Sequence, residues 1–256
     1  MFPKSKIKKK RIIFLLAYVL IACLIVLITK PLYIYSILIV LLPPALVNFY
    51  WLHKSRKKVF IFSIVSTFLF AFAAELASRL ANSWDVQSVL PRLFGLVPLE
   101  NILFAFLNFF FILSFYEYFV DKDTTKKISK KFKYLIVMFS LFSLIIFSLY
   151  FYNPEIASMN YSTLALITLI IPSIIMFSFN THLIKKSLLP VLFFAIVFFV
   201  YEVVSLKIGS WWWPGEYLLP VKLFGKTFPL DDVIIWYFLS TFALIGGYEF
   251  FADDFK

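Results

Sequence analysis

Long apolar runs broken by short clusters of charge dominate this chain. A helix of about 20 apolar residues crosses the ~30 Å hydrocarbon layer of a bilayer. Eight such runs can be drawn, at residues 12–29, 31–52, 59–80, 98–119, 133–152, 160–181, 187–206 and 229–251. They predict an all-α integral membrane protein with eight transmembrane helices. The few polar positions inside the runs fall on stripes. Glu100, Phe104 and Asn108 stand at i, i+4 and i+8 of the fourth run, and Asp232, Trp236 and Ser240 do so in the eighth. A polar stripe on a greasy helix is expected to face the bundle interior rather than lipid.

The pattern also repeats. Glu75-Leu-Ala-Ser-Arg-Leu-Ala-Asn-Ser-Trp84 recurs as Glu202-Val-Val-Ser-Leu-Lys-Ile-Gly-Ser-Trp211. Leu93-Phe94-Gly95-Leu-Val-Pro98-Leu99-Glu100-Asn101 is echoed by Leu223-Phe224-Gly225-Lys-Thr-Phe-Pro229-Leu230-Asp231-Asp232. Two halves, 1–127 and 128–256, are therefore expected to form a tandem repeat of four helices and four helices in the same orientation, with a site between them. Glu75 lies about five residues below the outer end of its run, roughly 7 Å at ~1.5 Å per residue, close to the level of Glu100. Glu202, Asp231 and Asp232 are expected to join them in one layer under the outer surface. A carboxylate in hydrocarbon costs about 2.5–3.5 kcal/mol on insertion scales, so such residues usually mark function.

Charge fixes an orientation. The net charge of +11 would suggest nucleic acid in a soluble protein, but here the lysines sit in short blocks between apolar runs. With the N-terminal end inside, 19 lysines and arginines fall on one side and 6 on the other, counting Lys4 and Lys256 on the inner side. Both termini are thus expected in the cytoplasm, in the cell membrane, with the two Trp loops outside and no nucleic-acid partner. The first run is read as a helix and not a cleaved leader.

Other residues have plainer readings. Trp84 and Trp211-Trp212-Trp213 fit an interfacial aromatic belt as well as a pocket lining, and both stay open. Glu117 and Glu249, beside lysine-rich loops, are expected as interface charges. Pro44 and Pro172 are expected kinks, His53 and His182 loop residues, and the lone Cys23 a structural side chain. Carboxylates at a helix N-terminus, such as Glu100 and the Asp231-Asp232 pair, also stabilise the helix dipole. Capping, however, needs no second acid on the preceding helix.

Several chemistries lack their signatures. The six glycines form no Gly-x-Gly-x-x-Gly pattern, the aspartates build no spaced Asp-rich magnesium motif, and neither Gly-x-Ser-x-Gly nor a Cys-based metal site exists. No cofactor and no metal are expected. Membrane-depth carboxyl groups and many aromatic rings remain, a combination suited to acid-initiated carbocation chemistry on a lipid-soluble polyene.

The residues that carry this reading resemble a known family. Tyr33 to Pro44, the Ser-Trp84 loop, Leu-Phe-Gly-Leu-Val-Pro98-Leu-Glu100-Asn101 and Gly209-Ser-Trp-Trp-Trp-Pro-Gly-Glu216-Tyr217 leading to Phe228-Pro229-Leu-Asp231-Asp232 are similar to the small integral-membrane lycopene cyclases. Their hallmark is Pro-x-Glu-(Glu/Asp) opening a helix in each half. The resemblance covers roughly 31–119 and 160–251, with Asn101 replacing the second acid of the first motif and Asp231 the first acid of the second. It implies cofactor-free closure of a carotenoid end group to a β-ionone ring. The expected catalytic residues are Glu100, Asp231 and Asp232 as donors and Glu75 or Glu202 as base. Asn101, Phe104, Asn108, Trp84, Trp211, Trp212, Trp213 and Trp236 are expected against a polyene drawn from the membrane lipid. A membrane terpene cyclase, a carotenoid hydratase, a non-catalytic carotenoid-binding partner and a proton-coupled transporter stay open as alternatives.

Overall fold

A computed structural model describes residues 6–253; Lys4 and Lys256 of the charge census lie outside the described residues. Seven helices among the described residues are long and apolar enough to cross a membrane, as in an all-α membrane protein. They are α1 Lys6–Thr29, α2 Tyr33–Trp51, α3 Arg56–Leu80, α4 Leu99–Asp121, α5 Phe132–Tyr152, α7 His182–Ile208 and α8 Leu230–Phe251. A shorter apolar helix, α6 Tyr161–Met176, lies between α5 and α7. Each coincides with one of the eight apolar runs.

Prolines shape two of them. In α2 the helix is interrupted at Leu41 and restarts with Pro43 and Pro44 in its first turn, where a missing N–H costs nothing. In α6 a wide π-helical turn at Leu166–Ile170 precedes Pro172 and absorbs the carbonyl that the proline leaves unpaired.

The connection after α3 and the connection after α7 are built alike. Asn82 and Gly209 end their helices in the left-handed region, at φ 52° and 82°. Ser83 N–H then returns to the Ser78 carbonyl at 3.0 Å, and Ser210 N–H to that of Ser205 at 2.9 Å. The repeated serines are thus helix-terminating positions. A hairpin follows in each half, β2 (Arg92–Leu93) with β3 (Val97–Pro98) and β5 (Pro220–Leu223) with β6 (Lys226–Pro229). The hairpins turn through Phe94-Gly95 and Phe224-Gly225, all four residues at positive φ as a type I′ turn requires, with Leu96 as a third loop residue in the first hairpin only. Between the halves, β1 (Asp85–Val86) pairs antiparallel with β4 (Trp211–Trp212).

The helices interlock across the halves. α1 packs on α7, and α5 packs on α3, so each half's first helix is clasped by the other half's third. α4 and α7 meet in an aromatic zipper, Phe111 on Phe194 at 4.8 Å and Phe115 on Phe193 at 4.4 Å between ring centroids. Such edge and offset contacts add to the burial of the rings themselves. α1 and α5 keep one side covered with exposed Ile, Leu and Phe, a surface suited to lipid. Cys23 is buried in α1 as a small core side chain.

Candidate active site

Under the two Trp loops lies a cavity of about 240 Å³, walled by Tyr33, Trp84, Phe104, Tyr161, Trp211, Trp213, Trp236 and Tyr237. Three carboxyl groups reach it: Glu75 from α3, Glu202 from α7 and Asp232 from α8. Asn101 and Asn108 of α4 complete its polar lining together with Ser240. Among the described residues, no lysine or arginine lines it.

Glu75 and Glu202 are held in the same manner. The Trp84 indole N–H donates to Glu75 at 3.1 Å, and the Trp211 indole N–H donates to Glu202 at 2.7 Å, each nine residues along the chain. The halves then diverge. Glu75 is paired with Arg79 one turn later, Nε to Oε1 at 2.7 Å, and the Asn101 amide donates to the same oxygen at 2.6 Å. Arg79 continues to Asp85 at 2.5 Å. In the second half, position 206 is leucine where the first half has arginine. Glu202 receives a second indole N–H from Trp213 at 2.8 Å instead of a cation. Asp232, where the first half has Asn101, accepts from the Tyr161 hydroxyl at 2.5 Å. Neither Glu202 nor Asp232 is in an ion pair among the described residues. The Tyr237 hydroxyl sits between these two carboxyl groups, close to both yet outside good hydrogen-bond geometry with either.

Three expectations fail here, for clear reasons. Glu100 does not face the cavity. Its carboxylate accepts the Ser88 hydroxyl at 2.9 Å and the Val89 and Leu90 N–H groups at 2.8 Å each, so it latches the loop over the helix end. Asp231 is its counterpart, accepting the Leu218 N–H at 3.3 Å. Successive helix residues point about 100° apart, so in each motif the first acid serves the loop and the second position, Asn101 or Asp232, serves the cavity. Trp212 is the third failure. It lies in β4 between Trp211 and Trp213, and strand alternation turns it away from the cavity they line.

Trp84, Trp211, Trp213, Trp236, Phe104, Asn101 and Asn108 do line the cavity, so those Trp residues are more than a belt. Tyr161, Tyr33 and Tyr237 were not anticipated. Tyr33 and Tyr161, 128 residues apart and each opening its helix, were the available signal.

Glu117 and Glu249 are a further correction. Both are buried in ion pairs at the opposite end of the helices and not on a solvated loop. Lys58 binds Glu117 at 2.8 Å and Asp253 at 2.5 Å, while Lys186 binds Glu249 at 3.1 Å and Asp121 at 3.0 Å. The Tyr116 hydroxyl donates to Glu249 and the Tyr248 hydroxyl to Glu117, a reciprocal exchange between α4 and α8. The signal was a second repeat, Tyr116-Glu-Tyr-Phe-Val-Asp121 and Tyr248-Glu-Phe-Phe-Ala-Asp253, preceded by Lys57-Lys58 and Lys185-Lys186. Glu117, Asp121 and Asp253 each offer an oxygen within 4.8 Å of the others, but the Lys58 ammonium already bonds two of the three.

Comparison with protein-family models, with curated proteins and with solved structures finds no match to this chain.

Proposed function

We propose that the chain is a cofactor-free membrane cyclase that closes the end group of a carotenoid-like polyene, lycopene being the first candidate. In this reading it is an eight-span, four-plus-four repeat of halves 1–127 and 128–256 in the cytoplasmic membrane. The lysine-rich start of α1 and the last turn of α8 face the cytoplasm.

One observation carries the proposal: Glu202 and Asp232 converge without a cation on an aromatic-walled cavity, opposite a Glu75 that Arg79 and Asn101 hold. Two buried carboxyl groups with no basic partner are poorly able to carry two charges, so at least one keeps a proton to give. Asp232, oriented by Tyr161, is assigned as donor and Glu202 as the group that shares and replenishes its proton. The proton adds to the terminal alkene of the polyene and leaves a tertiary cation, which the faces of Trp84, Trp211, Trp213 and Trp236 stabilise. The neighbouring double bond attacks that cation, a carbon–carbon bond closes the ring, and the cation moves onto the ring. Glu75, paired with Arg79, is assigned as the base that removes the ring proton. Proton in and proton out leave the mass unchanged, so no redox partner is needed. The cavity is smaller than a ~300–1,000 Å³ drug-sized pocket and fits one end group at a time.

A hydratase is the second reading, favoured by Asn101 Oδ1, Asn108 Oδ1 and Trp236 Nε1, buried polar atoms on the cavity without a protein partner. They suit a water or hydroxyl group near the cation. The test is expression in lycopene-accumulating cells, with and without heavy water. A cyclic product of unchanged mass in ordinary water, carrying one ring deuterium per closed ring when made in heavy water, supports the cyclase, and a product heavier by water supports the hydratase. An untouched profile with every polyene tried sinks both, and proton flux in liposomes then tests a transporter.

A further inference from the structure

At the other end of the helices, a pocket of about 450 Å³ opens where α1 meets the end of α2, the start of α3 and the end of α4. Four basic side chains line it, Lys8, Arg11, Arg56 and Lys122, with Asp123 as the one acid. Asp123 offsets one of these four charges and is in no ion pair with any of them. Its oxygens accept the N–H groups of His53, Lys54 and Ser55 at 2.6–3.0 Å and the Ser55 hydroxyl at 2.6 Å. Among the described residues, none of the four basic groups is in an ion pair.

The two guanidinium groups are preorganised. Arg11 lies 4.4 Å from the centroid of the Trp51 ring and 5.3 Å from that of Tyr118, and it also donates to the Tyr118 hydroxyl. Arg56 donates to the carbonyls of Phe49 at 3.2 Å and Tyr50 at 2.6 Å. Lys8, anchored to the Tyr118 carbonyl at 2.5 Å, and the exposed Lys122 bring two more charges to the rim. Four basic groups are gathered here against a single carboxylate, a net positive pocket and the arrangement of an anion site.

We infer that this pocket binds the phosphate headgroup of an anionic phospholipid. Arginine pairs with phosphate through parallel N–H bonds, and basic pockets between helices at the cytoplasmic surface select anionic headgroups. Three features favour a lipid over free phosphate. The pocket lies at the helix ends, Trp51 and Tyr118 supply interfacial aromatic surface, and the exposed Ile7, Ile13 and Phe14 of α1 offer a track for acyl chains. A zwitterionic headgroup would place its amine against these cations, with the only acid already engaged. The site stands independently of the cyclase reading.

Native mass spectrometry of the purified full chain tests it, comparing phosphatidylglycerol and phosphatidylcholine of identical acyl chains, with inorganic phosphate as a separate arm. Phosphatidylglycerol should be retained about tenfold better. The Lys8→Gln/Lys122→Gln pair should bring that preference within about twofold, and the exposed Lys122→Gln alone should lower it measurably. Lys126→Gln/Lys127→Gln removes the same charge from the exposed neighbouring loop and should leave the preference intact. Equal retention of the two lipids overturns the proposal. So does an equal loss in the loop control, and so does inorganic phosphate that binds and displaces the lipid.

Discussion

The two polar layers of this molecule use the same residue types and solve opposite problems. At the lysine-rich end, Glu117, Glu249, Asp121 and Asp253 are matched by Lys58 and Lys186, and each glutamate also receives a tyrosine hydroxyl from the other half. Corresponding residues make corresponding bonds, each of the four acids reaches one of the two lysines, and one oxygen of each glutamate is left without a hydrogen-bond partner. At the Trp-loop end the scaffold is equally symmetric, down to the indole bonds on Glu75 and Glu202, but the charges are not. Arg79 and Asn101 settle the first half; Leu206 and Asp232 leave the second half with two carboxyl groups and no cation. The aromatic-walled cavity lies against the two carboxyl groups that have no cation. The comparison teaches that duplicated acids alone do not identify a reactive layer. The broken compensation is what makes the Trp-loop layer the candidate.

The largest effect should come from removing the uncompensated acid. Asp232→Asn keeps the shape and the Tyr161 contact but supplies no transferable proton, so product formation should fall about 10²–10⁴-fold while the melting temperature holds or rises. Activity near wild type in both Asp232→Asn and Glu202→Gln would break the comparison. The compensated layer should behave in the reverse way. Lys58→Met removes the ammonium that the buried Glu117 is paired with and should cost roughly 3–5 kcal/mol of stability, read as a lower melting temperature in detergent. The protein that remains folded should keep its turnover.

How much of this was legible beforehand depends on what periodicity encodes. Helix positions were legible, because twenty apolar residues in a row have few other fates. Which of two adjacent acids faces the cavity was not. Glu100 and Asn101 differ by one residue, and the choice between loop and cavity is made by the hairpin that folds back over the helix end. The stripe of every fourth residue pointed to Glu100, whereas the cavity takes Asn101 with Phe104 and Asn108. Trp212 was misjudged because a three-tryptophan run carries no sign of the two-residue strand that turns its middle member outward. Glu117 and Glu249 were misread because neighbouring lysines look like a solvated loop. Burial of Lys58 and Lys186 with their acids is a tertiary fact, and only the Tyr-Glu repeat hinted at it.

Glu100 offers a sharper test of the same contrast, at intermediate size. As a latch on residues 88–90, Glu100→Gln should weaken three charge-assisted hydrogen bonds and cost about 1–3 kcal/mol, with faster hydrogen exchange at Val89 and Leu90. Product formation should fall by less than about tenfold, far less than in Asp232→Asn. Loss of activity as deep as that of Asp232→Asn, with stability unchanged, would return Glu100 to the catalytic set. The Trp pair makes the same point with apolar groups: Trp213→Ala should impair turnover strongly, and Trp212→Ala should leave it close to wild type.

The smallest effect is expected at the lysine-rich end, where Asp123 latches the α2–α3 turn outside the helices. Burial by itself would raise its carboxyl, but the Ser55 hydroxyl and the N–H groups of Lys54, Ser55 and His53 outweigh this and hold it below the usual aspartate range. A depressed folded-state value means the unfolded chain binds the proton first as pH falls. The stabilisation is therefore complete above the unfolded value of about 3.9 and disappears as pH drops through the folded one. Asp123→Asn should lower the melting temperature by a few degrees at pH 7, and the gap to wild type should close on acidification to about pH 3. Its shallow, partly exposed site predicts that added salt changes the gap little, because most of the latch is hydrogen bonding and not long-range charge. A gap that widens on acidification would mean the carboxyl is not held in its ionised form, and the turn would then need another anchor.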